Sequence, residues 1–396
     1  MNIILFEDAE FAQLFPLTLT KPASELRIGI LTIEEKWDKW LPQANVSSWV
    51  DRQYLQSKHS AELASVNLYI NNRVMPHSSL IAMLETLEPG QGIKNIEDQV
   101  VAFCTKDGFD SVQTDTFTWQ STNVDQINYP EDIFSQNGEQ LSSDFKLLTN
   151  GRKSAAISAT NQCINSENIF LEEGAKVECA ILNASNGPIY VGKNAEIMEG
   201  SIVRGALAMG EGSVLKLGAK IYGPTTIGPF SKVGGEVNNS VIQGYSNKGH
   251  DGFLGNSVIG EWCNIGADSN TSNLKNNYAP VKLWDYTSGR FRQTGKQFCG
   301  LIMGDHSKCG INTMFNTGTV VGVCCNIYGS GFPRNFVPSF AWGGASGFTT
   351  YRTNKVFEVA QVVMARRNVD LSEDDKAILQ AVYDMSENER FWENKK

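Results

Sequence analysis

Residues 191–234 read VGKNAEIMEGSIVRGALAMGEGSVLKLGAKIYGPTTIGPFSKVG, and this stretch decides the fold of the second half of the chain. Every sixth residue from 191 is aliphatic or Met: Val191, Ile197, Val203, Met209, Leu215, Ile221, Ile227 and Val233. Glycine follows the apolar residue at Gly192, Gly210 and Gly228, a spacing of 18. A coil of three short strands per turn accounts for both periods, with one inward apolar residue per strand. We expect the glycines at corners that need unusual backbone angles.

The period of six is interrupted twice. It slips after Val233 and resumes near Leu254. A polar, aromatic-bearing excursion then runs from about 272 to 298, and the period returns between Met303 and Ile327. Because two separated blocks agree, accidental matching is excluded. We predict a left-handed parallel β-helix of hexapeptide repeats.

The first part of the chain has a different pattern. Residues 1–105 alternate predicted strands (2–6, 66–71, 99–105) with predicted helices (33–41, 78–88), which indicates an α/β domain with an open sheet. Residues 106–150 are polar and predict a helix near 129–136 together with a linker. Helices are predicted at about 354–367 and 372–385, and Ser372 is a suitable amino-terminal cap. We therefore predict domains at 1–150 and 151–335, followed by a helical extension at 336–396.

Composition limits the classes of partner. The 396 residues include 34 basic and 43 acidic side chains, a net charge of −9, which argues against nucleic acid. No stretch reaches the roughly 18 apolar residues that a membrane span needs. The amino-terminal sequence has no basic leader with an apolar core, so we expect a cytoplasmic protein. The eight cysteines are scattered without metal-ligand spacing, so we expect reduced thiols and no metal site among them.

His250 is the histidine that suggests chemistry. It lies in SNKGHDGFLG, where the period slips and the wall of the coil must bulge. A histidine at such an irregularity, beside Lys248 and Asp251, suits a general base near neutral pH. A surface histidine in a turn, making one hydrogen bond, explains the same local sequence equally well. We expect His306, which falls at a regular turn, to be structural or peripheral.

Residues 249–275, GHDGFLGNSVIGEWCNIGADSNTSNLK, carry a more specific signal. Gly249-His250, Leu254-Gly255, the Asn264 to Ala267 turn and Asn273 stand at the spacing of a known motif. On these residues the segment resembles the acetyltransferase core of the bifunctional N-acetylglucosamine-1-phosphate uridylyltransferase/glucosamine-1-phosphate N-acetyltransferase family. The resemblance covers roughly residues 185–330. One position departs from it, because Phe253 stands where the family usually has tyrosine, and this leaves open an acceptor other than glucosamine 1-phosphate.

The resemblance implies roles for individual residues. His250 would deprotonate the sugar amine that attacks acetyl-CoA, and Asn264 and Asn273 would orient the amino sugar or the acetyl group. Lys275 and Lys282 would face the sugar phosphate, or else be solvated loop lysines. We include Lys248 among the substrate-binding residues. The site would lie between neighbouring coils of a homotrimer.

Two arginines in the carboxy-terminal extension are candidates for CoA binding. Arg366 and Arg367 could reach a CoA phosphate from the last turn of the predicted helix. Two cations at that place are equally explained by a favourable interaction with the helix dipole.

Residues 4–22, ILFEDAEFAQLFPLTLTKP, resemble the opening of sugar nucleotidyltransferases. The family's Gly-rich phosphate loop is missing, and Glu7 to Glu10 occupy its place, where carboxylates would repel a triphosphate. Asn71 and Asn72 stand where a metal-binding aspartate is expected, so Mg²⁺ would be held without that charge. Lys21, Arg27 and Arg73 are the candidates for phosphate contacts. Residues 23–37 match a bacterial branch of this family, and we expect weakened or altered nucleotidyl chemistry.

These observations give one leading hypothesis and three alternatives. The leading hypothesis is an acyl-CoA-dependent N-acyltransferase acting on an amino-sugar phosphate, with acetyl-CoA as co-substrate, in the synthesis of UDP-N-acetylglucosamine and cell-envelope precursors. One alternative is nucleotidyl transfer as the main activity, and another is a non-catalytic trimeric scaffold that binds a sugar nucleotide. A zinc hydratase on the same fold would need three converging histidines, and the repeat region holds only His250 and His306.

Overall fold

The computed structural model describes residues 1–106, 108–109 and 116–393. These residues form two compact units. Unit 1 comprises Met1–Leu14, Lys21–Leu26 and Leu31–Asn128, and unit 2 comprises Phe15–Thr20, Arg27–Ile30 and Tyr129–Lys396. Residues 129–150, which the sequence analysis placed in the first domain, thus belong to unit 2, while the predicted domain boundaries themselves stay predictions.

Unit 1 is built on a mixed sheet of six strands in the order β2-β1-β3-β6-β5-β7. The strands of unit 1 are β1 (Asn2–Phe6), β2 (Asn45–Trp49), β3 (Asn67–Asn71), β4 (Val74–Met75), β5 (Gln91–Lys94), β6 (Val100–Thr105), β7 (Thr118–Ser121) and β8 (Asp125–Gln126). Strand β1 pairs in parallel with β2 and β3, and β6 is antiparallel to β3 and β5. The two short strands β4 and β8 pair separately. The predicted open α/β sheet is confirmed.

Two helices accompany this sheet, α1 (Ile33–Trp40) and α2 (Ser78–Leu84). Helix α1 begins with a capping box, because Thr32 and Glu35 satisfy each other's backbone N–H groups. Trp37 is fully buried on α1 and donates from its indole nitrogen to the carbonyl of Val74 at 3.0 Å. Both helices lie within a few residues of the predicted positions.

Unit 2 is a parallel β-solenoid with three faces. The first face contains Ile169–Leu171, Ile189–Val191, Leu207–Met209, Thr225–Ile227, Val241–Gly244, Val258–Glu261, Leu301–Met303, Thr319–Val321 and Phe336–Val337. The second face contains Lys176–Val177, Glu196–Ile197, Val214–Leu215, Lys232–Val233, Asn247–Lys248, Asn264–Ile265, Lys308–Cys309, Asn326–Ile327, Ala341–Gly344 and Gly347–Thr350. The third face contains Gln162–Ile164, Ile181–Asn183, Ile202–Arg204, Lys220–Tyr222, Glu236–Asn238 and Phe253–Gly255, and the pair Asn270–Thr271 and Met314–Phe315 forms a separate ladder.

The interior of the coil is the apolar column that the sequence predicts. All eight residues of the hexad series from Val191 to Val233 are at most 1 % exposed. The second block behaves in the same way, with Met303, Val321 and Ile327 buried in one continuous cluster. Stacked parallel turns put one side chain per strand inside, so the period of six translates directly into a buried core. The predicted parallel β-helix is confirmed.

The glycines that follow the inward residues do not have the unusual backbone angles that were predicted for them. None of Gly192, Gly210 and Gly228 has a positive φ. A Cβ on Gly228 would lie 1.9 Å from the carbonyl oxygen of Gln243 in the next turn. These positions therefore need glycine because adjacent turns approach closely, and the expectation of unusual backbone angles there was wrong.

The slip in the repeat corresponds to shortened turns. On the second face Lys232 pairs with Val214 of the preceding turn at the regular spacing, but its partner in the following turn is Asn247, which comes too early for that spacing. We call the segment from Lys232 to Asn247 the short turn. The turn that follows, from Asn247 to Asn264, is also slightly shorter than a regular one.

The excursion has the opposite effect on the length of its turn. The pairing of Asn264 with Lys308 encloses a much longer segment, because the excursion is inserted there. Within the excursion Lys282–Asp285 and Arg290–Gln293 form an antiparallel hairpin. The coil thus continues in the same direction on both sides of the insertion.

Helix α3 (Pro130–Thr149) occupies residues that the sequence analysis assigned partly to a linker. Pro130 at its first turn and the acidic Glu131 and Asp132 favour helix initiation. The helix continues beyond residue 136 because it is held against the coil: Asn137 donates to the carbonyl of Pro224 at 3.0 Å. The polar sequence of this segment does not indicate this contact with the coil. The remainder of the predicted linker falls partly on residues 107 and 110–115, outside the described part of the chain.

The chain closes with α4 (Thr353–Ala365) and α5 (Glu373–Met385). Ser372 caps α5 in a capping box with Asp375, which confirms the predicted cap. Helix α4 buries Ala360 and Met364 against Trp262 on the side of the coil. Within the described residues, none of the helices combines the length and apolar character that crossing a bilayer requires.

The close approach of turns predicts different outcomes for two glycines in equivalent positions. Gly228→Ala should lower the free energy of unfolding by about 2–4 kcal/mol, because its Cβ would overlap the backbone of the adjacent turn. Gly310→Ala should stay within about 1 kcal/mol of the parent, because its nearest neighbour, Tyr328 Cβ, is 3.5 Å from the new Cβ. Thermal melting of both variants checks this, and equal melting temperatures would contradict the packing explanation.

Candidate functional site

A cavity of about 650 Å³ lies along the second face of the coil. Its lining combines side chains from successive turns with the end of α4. The described lining residues are Lys216, Lys232, Tyr245, Asn247, Gly249, His250, Trp262, Cys263, Asn264, Ile265, Gly266, Ala267, Lys308, Ile311, Val363, Arg366 and Arg367. The cavity opens where the turns are shortened, so the irregularity in the repeat coincides with the concave surface.

The structure brings four of the residues predicted from sequence to this one cavity. His250 and Asn264 come from the coil, and Arg366 and Arg367 come from the end of α4. His250 is exposed and stands just after the strand that ends the short turn. Asn264 points outward on the second face and is also exposed. Their proximity is an observation, and their roles stay predictions.

The charge of the lining is strongly one-sided. Among the described residues that line the cavity there are three lysines and two arginines, and no aspartate or glutamate. Because the whole chain carries a net charge of −9, this local positive surface is a feature of the site and not of the composition. Such a surface attracts an anionic ligand.

Two of these cations are partly buried. Arg367 donates to the carbonyl of Phe230 and to Oδ1 of Asn247, both at 3.3 Å. Burial and the neighbouring Arg366 lower the pKa of the Arg367 guanidinium. Burial also lowers the pKa of Lys308, whose Nζ donates to the carbonyl of His306 at 2.9 Å. The loss of water around these cations strengthens their interaction with any anion that enters.

A stack of aromatic rings runs along the corner of the coil beside the cavity. Tyr245 and Trp262 lie 4.2 Å apart with planes 15° from parallel, and Phe230 and His306 extend the stack on either side. All four residues have φ between 53° and 61°, a left-handed corner at which the side chain turns outward. Helix α4 packs against this stack, so the aromatic corner fixes the position of the two arginines.

Three lining residues were not predicted from the sequence: Lys232, Asn247 and Lys308, which are outward residues of the second face. Each immediately precedes an inward residue, so this position was the available signal. It could not be followed through the slip, because the short turn and its successor break a fixed spacing. Lys216 follows the inward Leu215 within the regular block, where the period is intact, so its place on the second face was predictable from sequence. The aromatic corner lies between strands, and the period of six does not mark it.

Lys248 occupies an unexpected place. It is 3 % exposed and aligned with Val233, in the inward column of the coil. Its Nζ donates to the carbonyls of Gly234 at 2.9 Å and His250 at 2.7 Å, with Asp251 at 3.4 Å. Burial lowers the pKa of Lys248 to about 8. These three hydrogen bonds of the Lys248 ammonium all go to backbone carbonyls. A contact between Lys248 and substrate stays a prediction.

The three remaining predicted substrate residues lie outside this cavity. Asn273 donates to Oδ1 of Asn256 at 2.8 Å, and Lys275 donates to the carbonyl of Pro280 at 2.9 Å. Lys282 is exposed on the hairpin. Phe253, at the position of the missing tyrosine, also lies outside the described lining. A single copy of the chain thus does not bring all the predicted residues to one place.

Unit 1 contains a second cavity of about 550 Å³ at the carboxyl ends of β1 and β2. It is lined by Phe6, Glu7, Asp8, Ala9, Glu10, Phe11, Trp49, Asp51, Gln99, Val100, Phe103 and Phe109. This is the edge at which open α/β sheets bind ligands. Its lining is acidic and aromatic, and the described lining residues include no lysine or arginine.

The acidic residues at this edge are engaged by buried arginines. Arg52 contacts Glu7 at 2.5 Å, while Arg73 pairs with Asp8 and lies 2.7 Å from Glu10. Burial raises the pKa of Glu7, and Arg52 partly offsets this. Since these pairs occupy the carboxylates and Asn71 donates to Asp8, the residues present do not offer a ready set of Mg²⁺ ligands. The described residues likewise include no group of three or more metal-ligating side chains.

The predicted phosphate contacts of the first domain are not assembled. Arg73 is fully buried in its pairs with Asp8 and Glu10, and Lys21 is buried in unit 1. Arg27 belongs to unit 2, where it donates to the carbonyl of Ile30 at 2.5 Å. None of the three is among the described residues that line the unit 1 cavity.

The chain is similar to known transferases. Residues 3–153 match the family described as Sugar nucleotidyl transferase. Over 90 residues the chain is 39 % identical to "Bifunctional protein GlmU" of Methanocaldococcus jannaschii, covering 23 % of this chain and 21 % of that protein. It is 30 % identical over 144 residues to "Bifunctional sugar-1-phosphate nucleotidylyltransferase/acetyltransferase" of Sulfurisphaera tokodaii, covering 36 % and 35 % of the two chains. The chain therefore spans about a fifth to a third of these relatives.

Among solved structures, a UDP-N-acetylglucosamine acyltransferase of Arabidopsis is similar at 15 % identity and a TM-score of 0.26. That match covers 61 % of this chain and 99 % of the other. Residues 23–37 predict membership of a bacterial branch. This stays a prediction, because the relatives from Methanocaldococcus jannaschii and Sulfurisphaera tokodaii are archaeal proteins. Residues 3–153 thus match the sugar nucleotidyl transferase family, and part of the chain is similar to GlmU-like bifunctional nucleotidyltransferase/acetyltransferases.

Proposed function

We propose that this protein is an acyl-CoA-dependent N-acyltransferase that acts on an amino-sugar phosphate, with acetyl-CoA as the acyl donor. The observation that carries the proposal is the cavity on the second face, whose described lining combines His250 with five cations and includes no carboxylate. The likeness to bifunctional nucleotidyltransferase/acetyltransferases supports the same reaction class. A cytoplasmic protein in the synthesis of UDP-N-acetylglucosamine and cell-envelope precursors fits this activity.

The cavity suits the nucleotide end of coenzyme A. Its diphosphate and 3′-phosphate need several cations, and Arg366, Arg367 and Lys308 line the cavity. The adenine ring would lie beside the aromatic corner formed by Tyr245 and Trp262, which both line the cavity. The pantetheine arm would then lead toward His250.

The chemical step follows from the position of His250 at the rim of this groove. The amine of the sugar attacks the thioester carbon, so an N–C bond forms and the C–S bond breaks. A neutral imidazole accepts the proton that the amine loses and returns it to the departing thiolate. The products are the N-acyl sugar phosphate and free CoA thiol. Asn264 would orient the acceptor by hydrogen bonds.

We infer that the site is completed in a homotrimer. Asn273, Lys275 and Lys282 lie outside the cavity of their own chain, and a neighbouring copy could supply them to it. The hairpin that carries Lys282 is an insertion in the coil and leaves this lysine exposed.

Unit 1 has an acidic cavity instead of a glycine loop, and we propose that it has lost or altered its nucleotidyl chemistry. The carboxylates of Glu7, Asp8 and Glu10 stand where a triphosphate would bind. A main activity in nucleotidyl transfer, supported by the family match of residues 3–153, is the alternative. A non-catalytic scaffold that binds a sugar nucleotide is the remaining alternative.

The acyltransferase is tested by release of free thiol from acetyl-CoA with glucosamine 1-phosphate and other amino-sugar phosphates. His250→Gln should lower kcat by about 10²- to 10⁴-fold because the general base is lost. His59→Gln, a histidine of unit 1, is the control and should keep the parent rate. Full activity of the His250 variant would refute the assigned role. No thiol release with any of these acceptors would favour the scaffold.

Affinity for an anion should depend on pH through Lys308. Because burial lowers the pKa of Lys308, this lysine loses its charge at a lower pH than the ordinary value of 10.5. Binding of adenosine 3′,5′-bisphosphate should weaken as pH rises, at a lower pH than the ordinary lysine value would give, and Lys308→Met should bind more weakly at pH 7 with a shallower pH dependence. Isothermal titration calorimetry measures both, with Lys193→Met, outside the cavity, as the control. Identical pH profiles of the parent and Lys308→Met would contradict the assignment.

Nucleotidyl transfer is tested by pyrophosphate release from UTP or dTTP with sugar 1-phosphates and Mg²⁺. We expect only background release, because unit 1 lacks the glycine-rich phosphate loop and the described lining of its cavity includes no lysine or arginine. Turnover on the order of 1 s⁻¹ or faster would show an active first domain and favour the alternative. A GlmU-like enzyme assayed in parallel confirms that the conditions support the reaction.

A further inference from the structure

Lys248 is a charged residue where the coil otherwise places apolar side chains. The inward column of the second face consists of Ile197, Leu215, Val233, Lys248, Ile265, Cys309 and Ile327. An ammonium group in such a column costs free energy unless its hydrogen bonds are made. A lysine retained there points to a requirement that an aliphatic side chain cannot meet.

The hydrogen bonds of Lys248 show what that requirement is. Its Nζ donates to the carbonyl of His250 at 2.7 Å and to that of Gly234 at 2.9 Å, and Asp251 accepts at 3.4 Å. Two of these three carbonyls belong to the His250 segment itself. The ammonium therefore ties the backbone of the candidate base to the preceding turn of the coil.

The segment needs such an anchor because its corner is longer than the corner beneath it. The chain passes from Val233 to Glu236 in one turn but from Lys248 to Phe253 in the next, so the corner that carries His250 has two more residues than its neighbour. The crossing is tight, since a Cβ on Gly235 would lie 2.7 Å from the His250 carbonyl oxygen. Gly235 has a φ of +70°, which glycine adopts without strain. The glycine below and the lysine inside together fix the height of the His250 backbone.

We propose that Lys248 is a positioning residue that acts through His250. Its buried ammonium holds the carbonyls of His250 and Asp251 toward the interior of the coil, and this places the imidazole at the rim of the cationic cavity. The inference rests on the proposed acyltransferase function for its catalytic consequence. It replaces the expected contact between Lys248 and substrate with a contact to the backbone.

Lys248→Met tests the proposal, because Met fills the same space in the column without donating hydrogen bonds. We expect kcat to fall about 10- to 100-fold through displacement of the base, while KM for acetyl-CoA and for the amino sugar changes less than about threefold. Lys220→Met removes an exposed lysine from the third face, outside the cavity, and should leave kcat unchanged.

A double-mutant cycle distinguishes positioning from direct substrate contact. In a His250→Ala background, Lys248→Met should alter kcat by less than about twofold, because both changes remove the same contribution. Multiplicative losses, or a raised KM for the amino sugar in the single variant, would assign Lys248 to substrate binding and overturn the proposal. Lys248→Gln restores a donor and should have a kcat between those of the parent and Lys248→Met. A folded Gln variant no more active than the Met variant would also overturn it.

Hydrogen exchange provides a measurement that does not depend on activity. The segment 247–255 should exchange faster in Lys248→Met than in the parent and in Lys220→Met, because its anchor is lost. Unchanged exchange there would refute the anchoring role. If the parent shows no acyl transfer, the proposed function fails while the exchange experiment still decides whether Lys248 holds the His250 segment.

Discussion

Backbone pairing between stacked parallel turns is the interaction on which the rest of this structure depends. Each turn donates to and accepts from the turns on either side, so the three faces keep a common register over most of the coil. This register places one side chain of each strand in the interior. It also brings adjacent backbones so close that Gly192, Gly210 and Gly228 leave no room for a Cβ. Side-chain size is thus dictated by the spacing of the turns.

The candidate site arises where this pairing is kept but the length of the turn is not. The short turn from Lys232 to Asn247 and its slightly shortened successor shift the corners relative to those of the regular turns. At these shifted corners Tyr245 and Trp262 form the aromatic corner against which α4 packs. The buried Lys248 donates to the carbonyl of His250 in the same region. The cavity on the second face thus includes the turns of irregular length.

The two units treat buried charge in opposite ways. In unit 1, Arg52 forms an ion pair with Glu7, and Arg73 forms one with Glu10. These carboxylates line the cavity of unit 1, but they are already engaged by arginines. In unit 2 the cations that line the cavity are bonded to backbone carbonyls and amide oxygens, as Arg367 and Lys308 show. Their charges consequently remain available to an anion. This contrast supports the proposal that the chemistry takes place in unit 2.

The sequence by itself determined the coil. Apolar residues recur strictly at every sixth position only where local strand geometry fixes whether each side chain points inward or outward. The sequence also marked His250, Asn264, Arg366 and Arg367 as candidates. Only the tertiary structure decided that these four meet in one cavity, that Lys248 points inward, and that residues 130–149 form a helix against the coil. The reason is that turn length sets which residues align across neighbouring turns. Once a short turn, a slightly short one and a greatly extended one follow one another, a fixed spacing no longer identifies neighbours.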